Sequence, residues 1–148
     1  MRLQDIHHVA IRTLDLEKTN KFYVDVLGMN FAKRPAMDFP GSWFQIGEHT
    51  MIHVLAGSGA YDTDGKFRTV GGCVDHISIG AEGYDAFTNR FAENGLDWRE
   101  FAIPEVGIMQ LFLRDPNGIL IELNFSAKHE GKAPQPAPAE RMFVPGAF

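Results

Sequence analysis

The sequence predicts an α+β fold in which two tandem βαβββ modules form a mixed-sheet half-barrel. Two observations favour it: one order of strand and helix patterns occurs twice along the chain, and short motifs recur at matching positions of the two copies. We assign residues 1–56 to module one, 57–72 to a linker, 73–126 to module two and 127–148 to a C-terminal tail. A module of this length is too small to bury its own sheet, so the two should complete one domain.

The first module is predicted from the period of its apolar residues. Residues 3–13, LQDIHHVAIRT, alternate as in a strand. Residues 16–27 then place Leu, Phe, Tyr and Val at helical spacing, with Asp15 as the N-cap and Gly28 just after the end. Three extended stretches follow, at 29–38, 42–46 and 50–55.

The second module repeats this order. Residues 73–80, CVDHISIG, form a strand, and Tyr84, Phe87 and Phe91 lie on a helix that ends at Asn94-Gly95. Three further strands are expected at 96–103, 107–114 and 119–125. The last two are joined by the sequence Asp-Pro-Asn-Gly at 115–118, which has the composition of a tight turn.

The register of the repeat is nearly constant. The sequence LGMNF at 27–31 matches NGLDW at 94–98. His8 precedes Gly28 by 20 residues, and His76 precedes Gly95 by 19. The chain is therefore interpreted as a duplicated unit with one residue of difference.

Composition and charge exclude several classes of partner. The net charge of −5 and the absence of a Lys/Arg cluster argue against nucleic acid. Cys73 is the only cysteine, which suits a reducing compartment. The first residues lack the apolar block of ~7–15 residues typical of a signal peptide, and no run approaches the ~18 apolar residues of a membrane span. We expect a soluble, cytoplasmic protein that acts on a small molecule.

Four potential metal ligands occupy equivalent positions of the two modules. Side chains alternate between the two faces of a strand. In each module the first and last strands carry β-branched or aromatic residues on one face and a ligand-type residue on the other. The candidate ligand of the first strand and that of the last strand are 45 residues apart in module one and 46 residues apart in module two. These residues are His8, His53, His76 and Glu122.

A pseudo-twofold arrangement of the modules would bring these four side chains to a central metal site. Three imidazoles and one carboxylate suit Zn, Ni, Co, Mn or Fe(II), and do not suit Ca or Mg, which prefer oxygen. Glu122 is informative because a carboxylate within the apolar strand ILIELNF needs a partner. His7, His49 and His129 fall outside the pattern and are interpreted as packing or surface residues.

These motifs resemble the vicinal oxygen chelate superfamily, which includes glyoxalase I, methylmalonyl-CoA epimerase, fosfomycin-resistance proteins and extradiol dioxygenases. The resemblance covers residues 3–125, and its most specific part is a D-P-x-G turn followed by a strand that holds a Glu. The segments at 34–44 and 51–55 further resemble a glyoxalase-like subgroup of plants and bacteria. The matching sequences are HHVAIRT (7–13), FYVDVLGM (22–29), DHISIG (75–80), RDPNGILIELNF (114–125), RPAMDFPGSWF (34–44) and MIHVL (51–55).

The resemblance implies a metal-dependent function. His8, His76 and Glu122 take the three positions that bind metal in most members, and His53 takes the position of Glu in glyoxalase I. The leading hypothesis is a glyoxalase-like lyase or isomerase that chelates a small substrate through vicinal oxygens and stabilises an enediolate-type anion, with Glu122 as ligand and catalytic proton carrier. This chain departs from glyoxalase I, which has paired glutamates.

Two alternatives stay open at the level of the sequence. An Fe(II)-dependent extradiol dioxygenase would use two His and one Glu, with His53 lining the pocket. A non-catalytic small-molecule binding or resistance protein is the second alternative, and the presence of all four candidate ligands argues against it. The resemblance also implies a homodimer.

Further residues are candidates for substrate contacts and for docking of the tail. Substrate contacts are predicted at Arg34, Trp43, Phe44 and Gln110; Arg34 could bind a carboxylate bidentately, and Gln110 needs a partner in its apolar strand. In the tail, residues 133–139 suit an extended spacer. Apolar residues follow it, so Met142, Phe143 and Phe148 are expected to dock on folded surface, across a dimer.

Overall fold

A computed structural model describes residues 7–61, 65–67, 75–144 and 147–148. The predicted strand before His7, part of the linker and Cys73 lie outside these residues. The chain divides into two compact units, Met1–Gly71 and Gly72–Phe148.

The described part of unit one contains a four-stranded mixed sheet, a helix and a short 3-10 helix at Gly57–Ala60. Its order is β1, α1, β2, β3, β4, and the sheet order β1-β4-β3-β2 makes β1 parallel to β4 and the other pairs antiparallel. The βαβββ module predicted from the sequence is therefore confirmed. The strands are β1 (Val9–Arg12), β2 (Asn30–Phe31), β3 (Gly41–Ile46) and β4 (His49–Leu55). The α-helical part of helix α1 is Leu16–Lys21.

Helix α1 begins where the sequence predicts and then changes its geometry. The Asp15 side chain accepts a hydrogen bond from the backbone amide of Lys18, as an N-cap does. The helix continues as a π-helical turn over Phe22–Val26, in which the amide of Leu27 donates to the carbonyl of Phe22 at 3.1 Å. Gly28 then adopts a φ of 74°, which suits glycine at a helix end.

One face of this sheet forms the core of unit one. Phe44, Ile52 and Val54 are buried on it, and the ring of Tyr23 stacks on that of Phe44 with centroids 5.2 Å apart. The side chains that alternate with these residues lie on the opposite face. That opposite face carries Trp43 and His53, which lie directly opposite each other in β3 and β4.

Unit two repeats the topology, and three of its four strands are longer than their counterparts in unit one. Its sheet order is β5-β8-β7-β6, again with one parallel pair and two antiparallel pairs. The predicted helix and all four predicted strands are present. The elements are β5 (His76–Ala81), α2 (Tyr84–Glu93), β6 (Trp98–Ile103), β7 (Ile108–Arg114), β8 (Leu120–Ser126) and a short helix α3 (Ala127–Glu130) that the sequence pattern does not predict.

The core of unit two lies between α2 and one face of its sheet. Phe91 of α2 is fully buried, and its ring lies 5.9 Å from that of Trp98. Ile121, Leu123 and Phe125 of β8 are buried on the same side. Glu122 and Asn124 alternate with them and therefore lie on the other face. The apolar residues of β8 therefore face the core, and its polar residues lie on the opposite face of the sheet.

The turn between β7 and β8 is held by Asp115. Its Oδ1 accepts hydrogen bonds from the amides of Asn117 and Ile119, both at 2.8 Å, and the Gly118 amide donates to the Asp115 carbonyl. Asp115 is buried, so these bonds satisfy a carboxylate that has left solvent. This geometry fixes the register of β8, the strand that carries Glu122.

The stretch 29–38 differs from its prediction, because only Asn30–Phe31 forms a strand there. Pro35 lacks an amide hydrogen for pairing. Arg34 also donates from Nη2 to the carbonyl of Phe39 at 2.7 Å, which holds this segment as a loop. Among the described residues, no helix has both the length and the apolarity needed to cross a membrane.

The C-terminal tail packs on unit two. Met142 forms a parallel bridge with Glu100 of β6, and the amide of Phe143 donates to the carbonyl of Glu100 at 3.0 Å. The Phe143 ring stacks on Phe112, whereas Phe148 lies under the guanidinium of Arg99 at 4.5 Å. Docking of the two phenylalanines on folded surface is therefore confirmed, within the same chain; the Met142 side chain stays largely exposed.

Candidate metal centre

In unit one, His53 lies between two other rings. Its imidazole stacks on Trp43 with centroids 3.9 Å apart and planes at 4°. On the other side it stacks on His8 at 3.9 Å and 18°. His8 is more exposed, and its Nδ1 lies 2.8 Å from Nδ1 of His7. The strand alternation predicted from the sequence thus brings His8 and His53 together on one face.

The environment of His53 favours a neutral imidazole. Burial lowers its pKa, and the positive charges that His8 and His7 would carry lower it further. Its Nε2 is buried and has no hydrogen-bond partner among the described residues. A buried nitrogen of this kind costs free energy unless it has a ligand, and a neutral imidazole nitrogen is the form that binds metal.

In unit two, His76 and Glu122 form the second pair. Nε2 of His76 lies 3.2 Å from Oε2 of Glu122. Nδ1 of His76 lies 2.8 Å from Oδ1 of Asp75, so the ring can donate from Nδ1 and present the lone pair of Nε2. A carboxylate behind a histidine is the usual means by which proteins fix the tautomer of a metal ligand.

The other carboxylate oxygen of Glu122 is held by a polar network. Oε1 accepts hydrogen bonds from Oγ of Ser78 at 2.8 Å and from the side-chain amide of Asn124. The amide of Gln110 in turn donates to Oδ1 of Asn124 at 3.0 Å. Glu122 is only 7% exposed, so this network satisfies a buried carboxylate and orients Oε2 toward His76.

The two pairs occupy equivalent positions in the register of their sheets. In unit one, the residue two after His8 in β1, Ala10, pairs with His53 in β4. In unit two, the residue two after His76 in β5, Ser78, pairs with Glu122 in β8. The structural repeat therefore includes the candidate ligands as well as the backbone.

The donor atoms fit a transition metal. Imidazole nitrogens and carboxylate oxygens, the donor atoms of these two pairs, are common ligands of Zn and related ions. Two ligand atoms at ~2.1 Å from a tetrahedral ion lie about 3.4 Å apart, which is close to the separation within the His76–Glu122 pair. Neither unit gathers three or more His, Cys, Asp or Glu side chains into one potential metal-binding group among its described residues.

The His8–His53 pair fits a shared ion less directly. A metal lies close to the plane of each imidazole that binds it, because the nitrogen lone pair lies in that plane. Two stacked rings with centroids 3.9 Å apart and planes at only 18° do not direct their lone pairs to one such point. Binding of one ion by both rings therefore requires one ring to rotate out of the stack.

The four candidate substrate contacts lie in three different settings. Trp43 and Gln110 lie on the ligand-bearing faces of their sheets, beside His53 and Asn124 respectively. Phe44 is fully buried between Tyr23 and Phe31 and offers no surface to a substrate, so the structure assigns it to the core instead. Arg34 is bound to the Phe39 carbonyl, and its Nε is buried with no partner among the described residues.

Three residues of this site were not singled out in the sequence. Asp75 precedes His76, whereas Ser78 and Asn124 follow the ligands by two positions. That spacing places Ser78 and Asn124 on the ligand face of their strands, so the alternation pattern already contained the signal. Asp75 lies one residue from the ligand, a relation that strand alternation does not predict.

Comparison with known proteins identifies the family. The sequence profile of the Glyoxalase/Bleomycin resistance protein/Dioxygenase superfamily matches residues 5–123, which is most of the chain. The chain belongs to this superfamily. Its two βαβββ units are thus those of a glyoxalase-fold protein, and the resemblance to the vicinal oxygen chelate proteins is confirmed.

Two sequence relatives and one solved structure are similar to this chain. "Glyoxylase I 4" of Arabidopsis thaliana is 29% identical over 126 residues, covering 83% of this chain and 71% of that protein. The "Probable lactoylglutathione lyase" of Synechocystis sp. is 29% identical over 125 residues, covering 78% and 91%. The solved lactoylglutathione lyase of Agrobacterium tumefaciens has a TM-score of 0.62 at 18% identity, covering 86% and 98%, and is similar in fold.

Proposed function

We propose that this glyoxalase-superfamily chain is a metal-dependent lyase or isomerase of glyoxalase type. The observation that carries the proposal is the repetition of a ligand pair at one register position in both units, His8 with His53 and His76 with Glu122. One divalent transition metal, Zn, Ni, Co, Mn or Fe(II), would be shared by these four side chains. A soluble, cytoplasmic homodimer acting on a small molecule completes the proposal.

A bound divalent cation would supply Lewis-acid stabilisation of negative charge on two neighbouring substrate oxygens. The residues of the chain then have separate roles. Glu122 accepts and returns the proton that moves during an isomerisation, with its Oε1 held by Ser78 and Asn124. Asp75 holds His76 in one tautomer, and the Trp43 ring, stacked on His53, forms a wall against water.

The metal stoichiometry tests the shared site. Protein purified without added metal should contain one ion per chain by elemental analysis. His76→Ala or Glu122→Gln should weaken retention of that ion and lower the metal content, because each removes or weakens one of the four proposed ligands. His49→Ala is the matched control, since His49 is an exposed histidine on the hairpin of unit one. Unchanged metal content in both ligand variants would reject the proposal.

The reaction class is tested after metal removal and reloading. The names of the relatives suggest methylglyoxal with glutathione as the first substrate pair to assay. Activity that returns with Zn, Ni or Co and is absent in Glu122→Gln supports the lyase or isomerase. No turnover with any of the five metals on this substrate would remove the glyoxalase assignment.

The second candidate function is an Fe(II)-dependent ring-cleaving dioxygenase. The stacked arrangement of His53 between His8 and Trp43 favours it, because His53 could remain in this stack as a pocket wall. His8, His76 and Glu122 would then bind iron and leave positions open for substrate and dioxygen. Metal retention that is unchanged in His53→Ala, with oxygen uptake on a catechol, would support this candidate over the first.

A further inference from the structure

The tail places an aromatic ring on the ligand-bearing face of unit two. The superfamily match ends at residue 123, so the tail lies outside the shared sequence. Phe143 stacks on Phe112 with centroids 3.8 Å apart and planes at 7°. Its backbone amide is bonded to the Glu100 carbonyl, and Met142 bridges the same residue. The position of the ring is therefore anchored by main-chain contacts that do not depend on the side chain.

Phe112 connects this ring to the candidate centre. Phe112 lies directly opposite Glu122 in the pairing of β7 with β8, and opposed residues share a face. Its ring also meets His76 edge-on at 6.3 Å. Phe112 is 3% exposed, with Phe143 over one of its faces. The stacking surface beside His76 and Glu122 is thus occupied by a residue of the chain itself.

We propose that Phe143 is a specificity-determining residue that confines this site to substrates with a small substituent. This inference rests on the proposed function, which places the reacting oxygens of the substrate at His76 and Glu122. A planar aromatic substituent beside those oxygens would need the stacking position over Phe112 that Phe143 fills. A methyl-sized substituent does not need that position. The tail thereby supplies substrate selection to a site that lies in the shared part of the family.

Two hydroxamates test the proposal directly. Acetohydroxamate and benzohydroxamate chelate through the same two oxygens and differ only in methyl against phenyl. Their dissociation constants should be measured by ligand-observed NMR titration, on Zn²⁺-loaded and on chelator-treated protein. Phe143→Ala should improve benzohydroxamate binding relative to acetohydroxamate by roughly two- to tenfold, the gain of one aromatic stack. This gain is expected with and without Zn²⁺, because stacking on Phe112 does not require the metal.

Two further variants separate the ring from the tail. Phe143→Tyr retains the ring and should keep the wild-type ratio of affinities. Met142→Ala alters the neighbouring, exposed side chain and should also leave the ratio unchanged. No gain in Phe143→Ala, or an equal gain in Met142→Ala, overturns the proposal. Failure of the proposed function has a different signature, which is acetohydroxamate binding that is independent of Zn²⁺ in every variant.

Discussion

His53 and His76 are held in place by different contacts, and the difference determines how each responds to change. His76 has a polar partner, because Asp75 bonds its Nδ1. His53 is held by two stacked rings, and its Nε2 has no protein partner among the described residues. Loss of Asp75 should therefore affect the orientation of His76, whereas acidification should place a charge on His53 that its burial opposes.

Replacement of Asp75 should weaken metal binding and leave the fold intact. Asp75→Asn retains the size of the side chain but removes the charge that favours the Nδ1–H tautomer of His76. We expect the metal affinity to fall about tenfold, the lower end of the range for such partners, because Asp75 is exposed. A competition titration with a chromophoric chelator measures it. Asp97→Asn is the control, and an equal effect there would contradict the role of Asp75.

The stability of the metal-free protein should decrease on acidification because of His53. Its folded-state pKa is lowered from the ordinary value of 6.5, so the unfolded chain binds the proton more readily. The contribution of neutral His53 is fully present above pH 6.5 and is lost as pH falls through the folded-state pKa. Urea unfolding in the presence of chelator, from pH 8 to pH 5, should show this decrease.

His53→Phe keeps a ring between Trp43 and His8 and cannot titrate. It should flatten the pH dependence of the free energy of unfolding over that window. His49→Gln removes an exposed histidine from the same unit and should leave the dependence as in the wild type. An unaltered slope in His53→Phe would show that the neutral form of His53 makes no such contribution.

At the scale of elements, the one-residue difference in length between the two repeats can be assigned to one helix. His8 and His76 each lie eight residues before the start of their helix, so the extra residue of unit one is inside the helix. The π-helical turn at Phe22–Val26 absorbs it. Gly28 and Gly95 can therefore both follow the helix end with positive φ, 74° and 63°. The insertion changes the helix and preserves the registers on either side.

The turn at Asp115 sets the position of β8 and should be sensitive to substitution. Asp115→Ala removes an acceptor of two amide bonds and should lower the free energy of unfolding by about 2–3 kcal/mol. Asp115→Asn keeps an acceptor oxygen and should cost less than half of that. Urea denaturation of both variants measures the difference. Equal losses in the two would mean that charge, and not the turn geometry, is the dominant contribution.

Most elements could be predicted because each depends on local chemistry. Alternation in β5 and β8, the Asp15 cap and the glycine after each helix are properties of neighbouring residues. The stretch 29–38 could not, since its loop depends on a bond from Arg34 to a carbonyl five residues away. The ligand pairs followed from alternation, whereas the burial of Phe44 depends on which sheet face the helix covers.

At the scale of the whole molecule, the repeat accounts for the features that the two units share. The C-terminal tail is a feature that unit two has in addition. The units share topology, register and the positions of the candidate ligands. Unit two carries an extension that docks on its own sheet through Phe143 and Arg141, whose guanidinium lies 3.4 Å from the centre of the Trp98 ring. This docking within one chain gives an expectation for assembly that differs from the one drawn from the sequence.

Deletion of residues 133–148 should lower the midpoint of thermal unfolding and leave the oligomeric state unchanged. The deletion uncovers Phe112 and Trp98, and a loss of about 2–3 kcal/mol corresponds to roughly 5–10 °C in a domain of this size. Light scattering of full-length and truncated protein at equal concentration tests the second part. A dimer that becomes a monomer on truncation would show that the tail also serves the interface.

The pairing of the tail with β6 also bears on the solubility of this chain. β6 has only one strand neighbour in its sheet, so its other side would present unpaired amides and carbonyls to any extended segment of another molecule. The backbone of Met142 and Phe143 occupies part of that side. The corresponding strand of unit one, β2, is only two residues long and offers little to pair with. Proteolytic loss of the tail would therefore expose the unpaired edge of β6 on unit two, and the growth of filaments or aggregates should begin at that edge.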